Sequence, residues 1–114
     1  MTIRIRVREG ALVVRADGRL TQEAAAELHD QVVQELAPKP RDVVLNLSQI
    51  ETIAAGALPW IFRIQRQTGE DRGRLIVAGR SEAVQRLLAK TNVLDALEIV
   101  DTEDDAFRST VSSA

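Results

Sequence analysis

Hydrophobic and polar positions set the first boundaries. Ile3, Ile5 and Val7 alternate with Arg4, Arg6 and Arg8, the period of two that a half-buried strand requires. Glu9-Gly10 follows, and glycine takes at no steric cost the positive φ of a tight turn. Residues 11–16 supply a second strand, so residues 3–16 read as a β-hairpin that Asp17-Gly18 closes. Thr21 is placed to cap a helix over residues 22–37, whose Ala25, Leu28, Val32 and Leu36 recur at spacings of three and four until Pro38 and Pro40 stop it. Residues 42–47, β-branched and nearly free of charge, predict a short central strand.

Further along, Ala57, Leu58, Ile61, Phe62, Ile64 and Gln65 trace a helical stripe that ends in the glycine-marked segment 68–73. Residues 74–79 form a strand. Ser81 then caps a helix to about Thr91, with Val84, Leu87 and Leu88 inside and Glu82 and Arg86 paired outside at i,i+4. Residues 97–100 are a last short strand. Thr102-x-x-Asp105 opens a final helix carrying Ala106, Phe107 and Val111, and residues 109–114 are expected to fray. The predicted order is ββαβαβαβα in an α/β fold: a mixed sheet packed against helices, parallel in its second half and antiparallel at the N-terminal hairpin.

A chain of 114 residues fits one domain, here 1–114. With 45% hydrophobic and 28% charged residues it has the balance of a globular domain that buries a core. The absence of cysteine excludes disulfides, thiol catalysis and thiolate metal sites. No stretch has the apolar length of a membrane span or of a signal peptide core, so the expected compartment is the cytoplasm, without membrane insertion. A net charge of −2 gives no whole-chain reason to expect nucleic acid. Arg4, Arg6 and Arg8 project from one face and suggest an anion or RNA surface, but without interleaved aromatics the better reading is a solvated strand face that discourages edge pairing. The acidic run 101–105 reads as a helix start that complements the helix dipole. His29, the sole histidine, is expected at a boundary, and Ser48 and Thr52 have no base to activate them. No catalytic, cofactor or metal-binding residue is expected.

One stretch stands out. Residues 50–62, IETIAAGALPWIF, carry no hydroxyl after Thr52 and no charge after Glu51, where a strand hands over to a helix. The words VVLNLSQIETIAAGAL and RLIVAGRSEAVQRLLAKTNVLDALEIVDTEDDAF resemble the STAS domain, the fold shared by bacterial anti-sigma factor antagonists and the tails of sulfate transporters. Leu47, Ser48, Ile50 and Ile53 match the phrase that, in antagonists of that family, leads into Asp-Ser-Ser-Gly-Leu. Continued without a gap, the resemblance places Ala54 at the aspartate, Ala55 and Gly56 at the two serines, Ala57 at the glycine and Leu58 at the leucine. With one deletion, Gly56 is the family glycine and Ile53, Ala54 and Ala55 take the polar triplet. Both alignments remove every hydroxyl.

The resemblance implies that the second serine, here Gly56, is where a partner kinase would phosphorylate a typical antagonist. The chain is therefore expected to be a non-enzymatic binding module in transcription regulation that lacks this phospho-switch. Drift with loss of cap residues, at about 1 kcal/mol each, is the alternative account of the same residues. The expected surface is Ala54, Ala55, Gly56 and Ala57, flat because the residues are small, with Trp60 either core or interface anchor. The implied partner is an anti-sigma factor of histidine-kinase-like type. The alternatives are a transporter ATPase, for an accessory STAS subunit of a bacterial lipid-transport ABC complex, or a small-molecule ligand. Trp60 beside small residues also predicts weak homodimerisation.

Overall fold

The computed structural model describes residues 2–70, 72–79, 81–91 and 96–112, the last four of these by backbone alone. Along them run β1 (Thr2–Arg8), β2 (Ala11–Leu20), α1 (Gln22–Leu36), β3 (Val43–Ile53), a single 3-10 turn (Ala55–Ala57) leading into α2 (Leu58–Glu70), β4 (Leu75–Ala78), α3 (Glu82–Thr91), β5 (Glu98–Val100) and α4 (Glu103–Ser112). The expected order is observed. The five strands form one sheet in chain order, with β1–β2 antiparallel and every later pair parallel. β3, with its run of apolar residues, is central.

Local chemistry accounts for the junctions. Glu9 and Gly10 both have positive φ, 49° and 84°, which makes a two-residue turn and sets the register Arg8↔Ala11 through Thr2↔Asp17. The Thr21 hydroxyl accepts from the Ala24 amide at 3.1 Å, that of Ser81 from Val84 at 3.3 Å and that of Thr102 from Asp105 at 3.1 Å, so all three predicted caps are made.

Two strands are longer than the sequence pattern predicts. Asp17-Gly18 reads as a turn, yet Gly18 takes φ +95° inside β2, where register shifts between Arg15 and Asp17 and between Gly18 and Arg19 bend the strand without ending it. The extension gives β3 a partner over its second half, with Gly18↔Ile50, Arg19↔Thr52 and Leu20↔Ile53, so β3 continues through Ser48 and Thr52 to Ile53 instead of stopping at residue 47.

The sheet separates two cores. On one face α1, α2 and α3 cover Leu12, Val14, Leu45, Leu47 and Val77 with Leu28, Val32, Ile61, Ile64, Val84 and Leu88. On the other, α4 sets Ala106 and Phe107 on Ala11, Val13, Val44, Ile76 and Ala78. Each aliphatic side chain taken fully out of water contributes about 1.5–3 kcal/mol, so the larger face carries most of the driving force. α4 runs to Ser112 in its backbone, while Val111 lies outside the described side chains.

Candidate functional site

The blank stretch forms the corner after β3. Ala54 is extended, at φ −83° and ψ 145°, and its amide donates to the Leu20 carbonyl at 3.0 Å, which ties the end of β3 to the end of β2. The chain then tightens into the 3-10 turn, with the Ala57 amide on the Ala54 carbonyl at 2.9 Å and no side-chain cap. Amides at the start of a helix have no intrahelical acceptor, and here no side chain replaces one. Pro59 falls in the first turn of α2, where its missing N–H removes no helical bond.

Exposure divides the predicted surface. Ala54, Ala55 and Pro59 are exposed and Gly56 half-buried, whereas Ala57 is 0% exposed in the main core. Ala57 therefore does not belong to an accessible surface; it anchors the turn. Gly56 lies against α1, since a Cβ there would come within 2.7 Å of the Gln22 Oε1 atom and 3.3 Å of Gln22 Cβ. Gln22 is a neighbour the sequence pattern did not single out.

Trp60 is half-buried and bridges α1 and α2. Its ring centroid is 5.3 Å from that of His29 at a 56° tilt, and the Arg63 guanidinium carbon lies 4.4 Å over it. His29 is thus a boundary residue, as expected, with Nδ1 3.2 Å from Asp30 Oδ1. Trp60 packs against the core from its half-buried position.

A polar network lies across the sheet. The face of Arg4, Arg6 and Arg8 is not simply solvated, because the start of α4 meets it. Arg6 and Arg8 donate to Glu103 Oε2 at 2.6 and 2.7 Å, Arg8 also donates to Asp104 Oδ1 at 2.8 Å, and its guanidinium lies 4.2 Å over Phe107. Hydrogen bonding by Asp104 first, then Glu103, raises the Arg8 pKa above its ordinary value, so it keeps its charge at any ordinary pH. The acidic run thus does more than complement the helix dipole. Asn46, 6% exposed, donates from Nδ2 to Glu103 Oε1 at 3.3 Å and accepts from the Ser48 amide and hydroxyl at 3.0 and 2.7 Å. A cavity of about 260 Å³ opens beside it, lined by Ser48, Gly79, Asp101, Thr102 and Asp104 among others. Among the described residues no group of three or more His, Asp or Glu is placed to hold a metal ion, and no helix is long and apolar enough to cross a membrane.

Comparison with known proteins follows the same outline. A family model described as the STAS domain matches residues 2–106. The chain belongs to the STAS domain family. Among solved structures, this STAS domain superposes on an anti-sigma factor antagonist from Mycobacterium paratuberculosis with a TM-score of 0.82 at 23% identity, covering 95% of this chain and 92% of that one. A STAS domain protein from Planctomyces limnophilus gives 0.83 at 17% identity, covering 96% and 97%. The Bacillus cell fate determinant SpoIIAA in its phosphorylated form gives 0.70 at 13% identity, covering 96% and 99%. At these identities the likeness is one of fold. It extends over nearly the whole of each chain.

Proposed function

We propose that this STAS domain is a cytoplasmic, non-enzymatic binding module that acts in the manner of an anti-sigma factor antagonist, docking a partner on Ala54, Ala55 and Gly56 with Trp60 at the edge. One observation carries the reading: the corner after the central strand is exposed, uncapped and made of small residues, yet pinned from below by buried Ala57 and Leu58. Such a corner offers backbone and methyl groups to a close-fitting partner at low entropic cost, because the turn is already fixed. The partner is an anti-sigma factor of histidine-kinase-like type.

The same corner has no hydroxyl from Ile53 to Trp60, and we propose that partner binding there is insensitive to phosphorylation. In a phosphorylatable relative, a phosphate at this helix start adds roughly −1.5 to −2 charges and opposes a close protein contact. Without an acceptor, occupancy follows protein concentration alone.

Affinity capture of the tagged chain from its native host tests the reading. Recovery of a kinase-like anti-sigma factor supports it, recovery of a transporter ATPase makes the chain an accessory subunit of a transport complex, and a bound small molecule without either assigns a ligand-binding role. Incubating the chain with the captured partner and ATP, followed by mass spectrometry, completes the test. Near-complete phosphorylation of Thr21, Ser48 or Thr52 with loss of affinity would mean that the switch had moved to another hydroxyl.

A further inference from the structure

We infer that the open part of the α4-side sheet face, where Arg4, Arg6 and Arg15 converge, is a binding site for a small phosphate-bearing anion. α4 packs on β3, β4 and β5, shares a core cluster with Ala11 and Val13 of β2 and meets β1 at Arg6 and Arg8, while Arg4 and Arg15 further along the hairpin stay exposed. The uncovered part holds a cavity of about 280 Å³ with Arg4, Arg6, Arg15 and Glu103 on its walls and Val13 at its floor. That is close to the lower end of small-ligand sites, about 300 Å³, and suits a compact oxyanion.

The hairpin register places Arg4 directly opposite Arg15. Directly opposed residues have Cβ atoms about 5 Å apart, and like charges so placed destabilise a sheet. Neither arginine can escape by losing its proton. Both are exposed, and among the described residues neither has an ion-pair partner. Glu103 does not neutralise them, because its oxygens already accept from Arg6, Arg8 and Asn46. Its effect is to hold Arg6 toward the cavity and to close the side nearest α4. Three guanidinium groups therefore face one opening against a single carboxylate that is already satisfied. Asp17, further along β2 past Ala16, makes no ion pair with either arginine among the described residues.

A multiply charged oxyanion between Arg4 and Arg15 turns their repulsion into two charge-assisted, fork-shaped contacts of the kind guanidinium makes with phosphate. A lone carboxylate supplies too little charge for three cations. The phosphate belongs either to a soluble small molecule or to a lipid headgroup.

The test uses the full chain at low ionic strength, titrated with pyrophosphate in a calorimeter and sedimented with vesicles of phosphatidylglycerol or, as zwitterionic control, phosphatidylcholine. Wild type is compared with Arg4→Gln, Arg15→Gln and the control Arg66→Gln on α2. The expected result is saturable binding of pyrophosphate, of phosphatidylglycerol vesicles or of both, weakened about tenfold or more in Arg4→Gln and Arg15→Gln and unchanged in the control. Pyrophosphate alone identifies a soluble ligand, and vesicles alone a headgroup. Failure to bind both pyrophosphate and phosphatidylglycerol vesicles, or binding by both variants as tight as wild type, would overturn the inference. Circular dichroism melts confirm that these exposed substitutions leave the fold intact, and Arg4→Lys, which keeps charge but not the fork, should retain part of the affinity.

Discussion

Gly79 has φ +91°, and a Cβ there would sit 2.5 Å from the Ser48 backbone nitrogen. Gly79→Ala therefore combines left-handed strain with a backbone clash that no rotamer change relieves, and should cost about 3 kcal/mol or more in urea unfolding. Asn46→Ala should cost about 1 kcal/mol by the same measurement, since it strips a partner from Glu103 and hands the amide and hydroxyl of exposed Ser48 to water. Neither role was legible in the sequence, because Gly79 meets Ser48 through the pairing of β4 with β3 and Asn46 meets Glu103 through the packing of α4. The Arg4–Arg15 opposition, by contrast, was recoverable: a two-residue turn at Glu9-Gly10 pairs Arg8 with Ala11, and counting back reaches Arg4 and Arg15. Caps at Thr21, Ser81 and Thr102 were legible because capping is local chemistry.

Elements were readable wherever periodicity was long. α1 matches its predicted stripe at Ala25, Leu28, Val32 and Leu36, and α3 its outer Glu82–Arg86 pair. Pairing to a distant strand overrode the local turn signal at Asp17-Gly18, which bends β2 without ending it, and β3 runs on past residue 47 to Ile53 for the same reason. α2 has a correctable weakness at Gly69, where an added Cβ meets nothing within 4 Å. Gly69→Ala should stabilise the domain by about 0.5–1 kcal/mol, seen as a higher melting temperature. Trp60→Ala should destabilise by about 2 kcal/mol, less than loss of a fully buried aromatic, because the indole seals α1 to α2 only on its inner side between His29 and Arg63.

For the whole molecule, the sheet order and the corner after β3 put an exposed, featureless turn beside the start of α1, and the chemistry missing from residues 54–57 was legible in the sequence alone. The burial of Ala57 fits the helical stripe that it opens and not the surface on which its small size placed it, because the 3-10 turn rotates it inward. Restoring the family's residues with Ala54→Asp and Gly56→Ser requires Gln22 to swing its amide aside, a small cost for a flexible side chain. The double variant should accept phosphate from the partner kinase, read by mass spectrometry, where wild type does not. Whether the corner itself is the docking surface is read from the calorimetric affinity of the captured partner for wild type and Ala55→Arg, with Gln34→Arg on the exposed side of α1 as control. Ala55 is exposed, so the substitution leaves the fold intact. A long cation in a close-packed contact should weaken binding about 100-fold or more, a loss of about 2.7 kcal/mol, while the control binds as wild type. Undiminished affinity of Ala55→Arg would mean that the partner docks elsewhere.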